Sequence, residues 1–374
     1  MRLGLSDEQR ALQAEADRFC ASAAPLLDAD LEHAVQGMPS DGDSAPIFRA
    51  LGEAGLIGVN WPEALGGRAH TLLATVALEE RLGYGWLPLS AYLVSVKTVG
   101  NAVVHFGSDD LRARLIPEIA AGRLIFCQGF SEPEAGSDLA ALTTRAERRN
   151  GHFVVNGHKI WTSNAHISDW IYLAVRTSPA TEKRHHGISV LVAPMESPGI
   201  TVRTFPTLGG GFLSEVFLED VEIPAEYVVG EVDNGWQVLM GTLSFERITS
   251  EKIGILAWLL DELEAETGQR LDALRGEAAA ARLHGYRAAW LLDQGRDASG
   301  ASSMAKLSIA LLAKGVARAA VDLLGPLGLL EASADAPLAG RAAALLRAGV
   351  GSTLAGGSTE IQRTVIARRE LGAR

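Results

Sequence analysis

The sequence predicts an α+β protein in three successive zones: helical, then β, then helical. Apolar residues recur at helical spacing in the first and last zones. The middle zone is built from short apolar runs punctuated by Gly and Pro. Few helix-period segments interrupt those runs, so an antiparallel sheet or barrel is expected in place of a βαβ array. The expected boundaries are 1–122 for the N-terminal helical domain, 123–231 for the β-barrel domain and 232–374 for the C-terminal helical bundle.

Ser6-Asp7-Glu8-Gln9 is a capping-box pattern, in which a hydroxyl and an amide three residues on satisfy free N–H groups of a first turn. A helix therefore runs from Ser6 towards Cys20. The acidic, glycine-containing segment Asp28–Ser44 reads as a surface loop, and Thr71 to Leu82 as a further helix. Strands are expected around Phe153–Val155, Trp170–Leu173, Ile188–Val192 and Val216–Leu218. Turn clusters such as Ser197-Pro198-Gly199 and Gly209-Gly210-Gly211 separate them. Ala/Leu-rich helices return over Met304–Leu324 and Arg341–Leu346.

Composition narrows the function. With 374 residues and 47% hydrophobic content, the chain can bury a large core and form more than one subdomain. A formal net charge of -11 argues against nucleic acid, so a phosphate-bearing ligand must be held by local donors. The two cysteines, Cys20 and Cys127, imply no disulfide framework and suit a reducing compartment. No run of about 18 apolar residues suggests a membrane span, and the N-terminus opens into a helix without a signal-peptide pattern. A cytoplasmic location is expected. His185-His186 lacks further ligands at zinc spacing, so no metal is expected. Gly209-Gly210-Gly211 lacks the strand-to-helix context of a nucleotide loop.

Two stretches carry chemistry. Ser131-Glu132-Pro133-Glu134-Ala135-Gly136-Ser137-Asp138 is a small polar loop whose N–H groups and hydroxyls can cradle a phosphate or a polarised ring edge. Asn156-Gly157-His158-Lys159-Ile160-Trp161-Thr162-Ser163-Asn164 opens with an Asn-Gly hairpin signal and ends in an aromatic residue and two hydroxyls. A third feature is Glu246. Leu239, Leu243, Glu246, Ser250 and Ile253 recur on one face of a helix. A carboxylate in that stripe faces the interior, where burial raises its pKa towards that of a useful base.

Together these motifs resemble the acyl-CoA dehydrogenase family. Glu219-Asp220-Val221-Glu222-Ile223-Pro224 followed by Gly230, and Ser358-Thr359-Glu360-Ile361-Gln362-Arg363 near the C-terminus, extend the resemblance over nearly the whole chain. It implies the acyl-CoA dehydrogenase fold, FAD as cofactor and α,β-dehydrogenation of an acyl-CoA to a trans-2-enoyl-CoA. By the same resemblance Gln128 and Phe130 lie near the flavin ring, Ser131 bonds its pyrimidine edge, and Gly136 and Ser137 approach the pyrophosphate and substrate. Trp161 packs beside the ring, Thr162 and Ser163 contact its N5 side, and Ser358 and Glu360 belong to a C-terminal flavin and dimer motif. Leu243, Arg247, Ser137 and Gly356 border the substrate, with Arg247 pairing an acid or lining the acyl site. An electron-transfer flavoprotein is the implied electron acceptor.

The departures from the family pattern are equally specific. Most members carry the catalytic glutamate where this chain has Gly356, in Leu354-Ala355-Gly356-Gly357-Ser358. Isovaleryl-CoA and long-chain acyl-CoA dehydrogenases carry it in a Glu-Arg pair on the helix after the β-domain, which Glu246-Arg247 matches. The resemblance therefore implies Glu246 as the base, with the Gly356 N–H left to polarise the thioester carbonyl. The Arg-x-x-Phe-Gly motif that reaches a neighbouring subunit's flavin is missing. Between Gly254 and Gln294 only Arg270, Arg275, Arg282 and Arg287 occur, none followed by Phe-Gly. The adenine-side motif is altered to Leu324-Gly325-Pro326-Leu327-Gly328. Phe130-Ser131-Glu132-Pro133 and Leu142-Thr143-Thr144-Arg145-Ala146 look most like bacterial steroid side-chain acyl-CoA dehydrogenase subunits. That implies a bulky or branched acyl group and a hetero-oligomer with a related subunit. A homo-oligomer remains the alternative if Arg275 or Arg282 replaces the missing arginine. A same-fold acyl-CoA oxidase or flavin monooxygenase and a non-catalytic partner subunit are the rival functions.

Overall fold

The computed structural model describes residues 4–27, 44–331 and 333–373. The capping box forms: the Gln9 N–H donates to Ser6 Oγ at 3.2 Å and the Ser6 N–H to Gln9 Oε1 at 2.7 Å, opening helix Asp7–Ala23. Thr71 caps helix Leu72–Tyr84 by accepting from the Ala74 N–H. Residues 28–43 of the expected surface loop lie outside the described residues. Ser44, its last residue, is buried against the Ser90 hydroxyl at 2.9 Å and is not part of an exposed loop. Helix Ala45–Glu53 follows. A helical run then passes through Ser90–Tyr92, Leu93–Gly100 and Asn101–Phe106, its centre wound as a π-helix, and helix Asp109–Ala120 leads to the sheet.

Seven strands form one curled sheet: β1 Phe126–Gly129, β2 Arg145–Arg149, β3 His152–Ser163, β4 Trp170–Arg176, β5 Ile188–Pro194, β6 Ile200–Pro206 and β7 Phe212–Pro224. Their order is β1-β4-β2-β3-β7-β6, with β5 also on β4. The antiparallel expectation holds for β2–β3, β3–β7, β4–β5 and β6–β7. β1 instead runs parallel to β4, and β2 meets β4 in parallel at Arg145 and Arg176. β1 enters from a helix and not through a hairpin, which permits the parallel pairing.

Strands β4 and β5 read as unbroken apolar runs because both faces are covered. Tyr172, Ala174, Val190 and Val192 face the N-terminal helices, while Ile171, Leu173, Val175 and Leu191 face the interior of the curl.

The hairpin expected at Asn156-Gly157 is not there. Both residues lie inside β3. The turn is Asn150-Gly151, with φ of 47° and 84°, joining β2 to β3. Gly157 is small for another reason: a Cβ there would meet Thr144 Oγ1 at 2.3 Å.

Helices Gly235–Glu246, Ser250–Thr267, Asp272–Asp293, Ser299–Leu324, Arg341–Gly351 and Thr359–Glu370 complete the described chain. Helix Leu72–Tyr84 crosses Ser250–Thr267 with backbones touching. A Cβ on Gly83 would lie 1.9 Å from the Glu251 carbonyl oxygen, and one on Gly254 would lie 1.9 Å from that of Glu80. Any side chain at either glycine would force the helices apart. Among the described residues no helix is long and apolar enough to cross a membrane.

Candidate active site

The two polar stretches meet at the end of β1. This strand delivers Phe130, which is buried and tilted against Tyr172 with ring centroids 5.5 Å apart. The Ile160 N–H donates to the Ser131 carbonyl at 2.9 Å, tying the loop to β3. Lys159 reaches under the same loop, donating to the Phe130 carbonyl at 3.1 Å and to Glu132 Oε1 at 2.8 Å. Glu132 also accepts from the Thr143 N–H at 2.7 Å, the Thr143 hydroxyl at 2.8 Å and the Thr144 N–H at 2.9 Å. Burial alone would raise the Glu132 pKa, but Lys159 and these donors outweigh it and bring the pKa to about 2. Burial pushes Lys159 down to about 8 despite its partner. The carboxylate, with more bonds, gains more from the pairing than the ammonium does.

Trp161 stands on a bulge. Between Lys159 and Thr162 the β3–β7 register shifts, and Trp161 takes a φ of 62°. That conformation is strained for a bulky residue. It holds the indole outward, 57% exposed and edge-on to Phe205. Next to it, Thr162 is fully buried and its Oγ1 has no hydrogen-bond partner. Ser163 is half-buried, Gly136 and Ser137 are exposed, and a Cβ on Gly136 would meet nothing within 4 Å. An aromatic face held out by strain, a buried hydroxyl without a partner and an open polar loop are what a bound flavin would cover and satisfy. The residues present fit FAD.

Glu246 differs from its sequence reading in one respect. The stripe from Leu239 to Ile253 does not lie on one helix. Helix Gly235–Glu246 ends at Glu246, Arg247 caps it, and a new helix starts at Ser250. The carboxylate still turns inward. Its Oε2 is buried with no hydrogen-bond partner, and burial raises its pKa against the opposing pull of Arg247 and of hydrogen bonding from Gln128 and Thr98. Gly356, from the far end of the chain, comes to the same place. A Cβ on Gly356 would lie 3.4 Å from Glu246 Oε1.

Leu243 is half-buried one turn before Glu246. Arg247 is buried with its Nε unpartnered; no ion pair within 4.0 Å forms among the described residues, and Glu246 is the acid whose charge acts on it. Ser358 caps the last helix by accepting from the Ile361 N–H at 3.3 Å. Glu360 is exposed in the first turn, accepting from the Thr359 hydroxyl.

The four arginines that stand in the region of the missing motif are all paired within the chain. Arg270 pairs with Asp272, Arg275 with Asp261 and Glu264, Arg282 with Glu80 and Arg287 with Glu370.

Gln128, Phe130, Ser131, Trp161 and Thr162 are thus brought together around β1 and β3, and Gln128 links them to Glu246 and Gly356. Ser137 and Glu360 stay at the surface. Sequence reasoning missed Thr98, the Lys159–Glu132 pair and Lys306, which donates to the Gly357 carbonyl at 2.6 Å. Thr98, one of three polar residues in the helical segment Leu93–Gly100, gives no local signal that marks it out from Ser95 and Lys97.

Comparison with known proteins identifies the family. Residues 6–123, 127–221 and 233–371 match the N-terminal, middle and C-terminal domain models of acyl-CoA dehydrogenases. Acyl-CoA dehydrogenase IpdE1 of Mycobacterium tuberculosis is 34% identical over 334 residues, covering 86% of each chain. The solved Tcur3481-Tcur3483 steroid ACAD superposes with a TM-score of 0.90 at 28% identity, over 100% of both chains. The ChsE4-ChsE5 complex from Mycobacterium tuberculosis gives 0.87 at 28% identity, over 100% of this chain and 99% of that one. The chain therefore belongs to the acyl-CoA dehydrogenase family and is an FAD-dependent oxidoreductase acting on acyl-CoA thioesters.

Proposed function

We propose that Glu246 is the general base of this dehydrogenase and that its substrate carries a bulky or branched acyl group, of the steroid side-chain type. The observation that carries the first part is the convergence of Glu246 Oε1 on the place where a side chain at Gly356 would begin. The usual site has lost its carboxylate, and another chain segment supplies one. Glu246 takes the α-proton onto its carboxylate, whose buried and unpartnered Oε2 raises its affinity for that proton. Gln128 and Thr98 hold the carboxylate in place, and Arg247 balances its charge. The N–H of Gly356 remains available to the thioester oxygen after the side chain is lost. FAD, held by Gln128, Phe130, Ser131, Gly136, Ser137, Trp161, Thr162 and Ser163, with Ser358 and Glu360 on the C-terminal side, supplies the hydride acceptor for the β-carbon when bound. Leu243, Arg247 and Ser137 border the acyl chain.

The missing side chain at Gly356 leaves room beside the reacting carbons, which supports the bulky acyl group. The name of one structural relative, the Tcur3481-Tcur3483 steroid ACAD, supports its class. With its candidate arginines already paired, this chain has no spare one for a neighbour's flavin among those four. That supports assembly with a related subunit that supplies the arginine. An electron-transfer flavoprotein accepts the electrons.

The test is Glu246→Gln in the assembled enzyme. Flavin and ligand binding should persist while reduction by substrate falls about 10²-fold or more. Full reduction in this variant overturns the base. A panel of acyl-CoAs tests the substrate, and highest kcat/KM for a short straight chain overturns it. A stable homotetramer with one flavin per chain, formed by this chain alone, overturns the heteromer.

A further inference from the structure

The turn beside Glu246 contains two consecutive glycines in the left-handed region, Gly356 at φ 66° and Gly357 at φ 92°. Such a turn has little of its own to fix it. Two side chains from elsewhere hold it. Gln362, fully buried, donates through Nε2 to the Gly356 and Gly357 carbonyls at 2.9 and 3.1 Å. Lys306, on helix Ser299–Leu324 and only 5% exposed, donates through Nζ to the Gly357 carbonyl at 2.6 Å. Lys306 Cε lies 4.0 Å from the Cβ position of Gly356, the same point that Glu246 Oε1 approaches to 3.4 Å. No carboxylate among the described residues forms an ion pair with this ammonium within 4.0 Å.

A neutral amide would serve the carbonyl with less desolvation, as Gln362 does. An ammonium there is costly unless its charge is used. Burial, with Lys252 and Arg247 as neighbouring cations, pushes its pKa down to about 8, while Glu246 and Glu360 pull the other way. These four groups come from three elements: the end of the helix before Arg247, helix Ser250–Thr267 and helix Thr359–Glu370. Of the two carboxylates, Glu360 is exposed and already bonded by Thr359. Glu246 is the one with an unpartnered buried oxygen.

Resting on the reading of Glu246 as the base, we propose that Lys306 is a positioning residue: it pins the Gly356–Gly357 turn and, as a cation beside Glu246, keeps that carboxylate ionised in the resting enzyme. A base must be unprotonated to accept a proton. Burial alone favours the neutral acid; Arg247 and Lys252 oppose that, and Lys306, the third cation at this turn, adds to them. Lys306 acts on Glu246 through its charge and on the turn through its hydrogen bond.

The experiment compares the complete flavin-loaded enzyme with Lys306→Arg, Lys306→Gln, Lys306→Met and Glu246→Gln. Flavin content is read by absorbance, and the rate of flavin reduction by saturating acyl-CoA is followed across the neutral and mildly acidic range. Removing the charge in Lys306→Gln or Lys306→Met should move the acid limb of the profile upward by about one pH unit. Lys306→Arg, which stays charged, should keep the wild-type limb. Lys306→Gln retains a donor for the carbonyl and reads the charge alone, should the methionine variant fold poorly. A rate loss with an unmoved limb in Lys306→Gln overturns the proposal while leaving the base intact. Wild-type reduction by Glu246→Gln overturns the base reading itself.

Discussion

Lys159 and Glu132 form a 2.8 Å ion pair, almost wholly buried, between the strand that carries Trp161 and the loop that carries Ser137. It fastens together the two halves of the surface proposed to face the flavin. Glu132→Gln should leave the Lys159 ammonium buried without its counter-charge and destabilise the protein by about 3–5 kcal/mol. The pH dependence has a defined sign. The Glu132 pKa is about 2 in the folded protein against an ordinary 4.5, so its stabilisation is complete above about 4.5 and is lost as pH falls through about 2. Denaturant titrations of wild type and Glu132→Gln at neutral and acidic pH check this: the gap between them should narrow on acidification.

Trp161 should be dispensable for folding and needed for the cofactor. A glycine accepts a φ of 62° without strain, so Trp161→Gly should leave the Tm of the apoprotein unchanged or slightly raised. Losing an aromatic contact of about 1 kcal/mol should weaken FAD by roughly fivefold. Thermal melts of the apoprotein and an FAD titration measure the two effects separately.

Returning a carboxylate to the vacated site should restore part of what Glu246→Gln removes. Gly356→Glu in that background should recover some substrate-dependent flavin reduction. The left-handed φ of 66° will tax it, since a side chain there costs about 1–2 kcal/mol. Gly356→Glu alone should be worse than wild type, because a second carboxylate would crowd Glu246. Reduction rates and melting midpoints of the three variants decide.

Arg275 and Arg282 should matter for stability and not for flavin. Arg282 Nε lies 2.9 and 3.0 Å from the two oxygens of the buried Glu80 carboxylate, and Tyr286 closes on the same group. Arg282→Gln should cost about 2 kcal/mol, less than a fully buried pair because the guanidinium is about one-third exposed. Flavin stoichiometry and affinity should be unchanged in Arg275→Gln and Arg282→Gln. A loss of flavin in either would point to an arginine acting across a homo-oligomer interface.

Where side-chain chemistry is local, the sequence was legible. Ser6 and Gln9 announce their helix, and the loop from Ser131 and the run to Ser163 show their polar equipment directly. Where pairing decides, it was not. Two Asn-Gly dipeptides lie six residues apart, and only the β2–β3 and β3–β7 registers reveal that Asn150-Gly151 turns while Asn156-Gly157 continues a strand. The stripe through Glu246 was real on its helix, but no Gly or Pro announced the break at Arg247–Thr249. β2 is almost entirely charged, Arg145-Ala146-Glu147-Arg148-Arg149, and only Ala146 is buried, so no apolar alternation betrayed it. Thr98 and Lys306 reach Glu246 and its neighbouring turn through tertiary packing, which no local pattern records.

The touching backbones at Gly83 and Gly254 have a consequence for how the molecule is made. Helix Leu72–Tyr84 leaves the ribosome long before its crossing partner, and the Tyr84 hydroxyl waits for Asp261, 177 residues later, to accept its 2.8 Å hydrogen bond. Until then one flank of the nascent helix lacks its cover: Glu79 has Lys97 nearby, but Glu80 waits for Arg282, 202 residues later. The burial of that flank therefore waits for the helix that follows Glu246. The cover of helix Leu72–Tyr84 and the segment that carries Glu246 thus come from the same late-made stretch of chain.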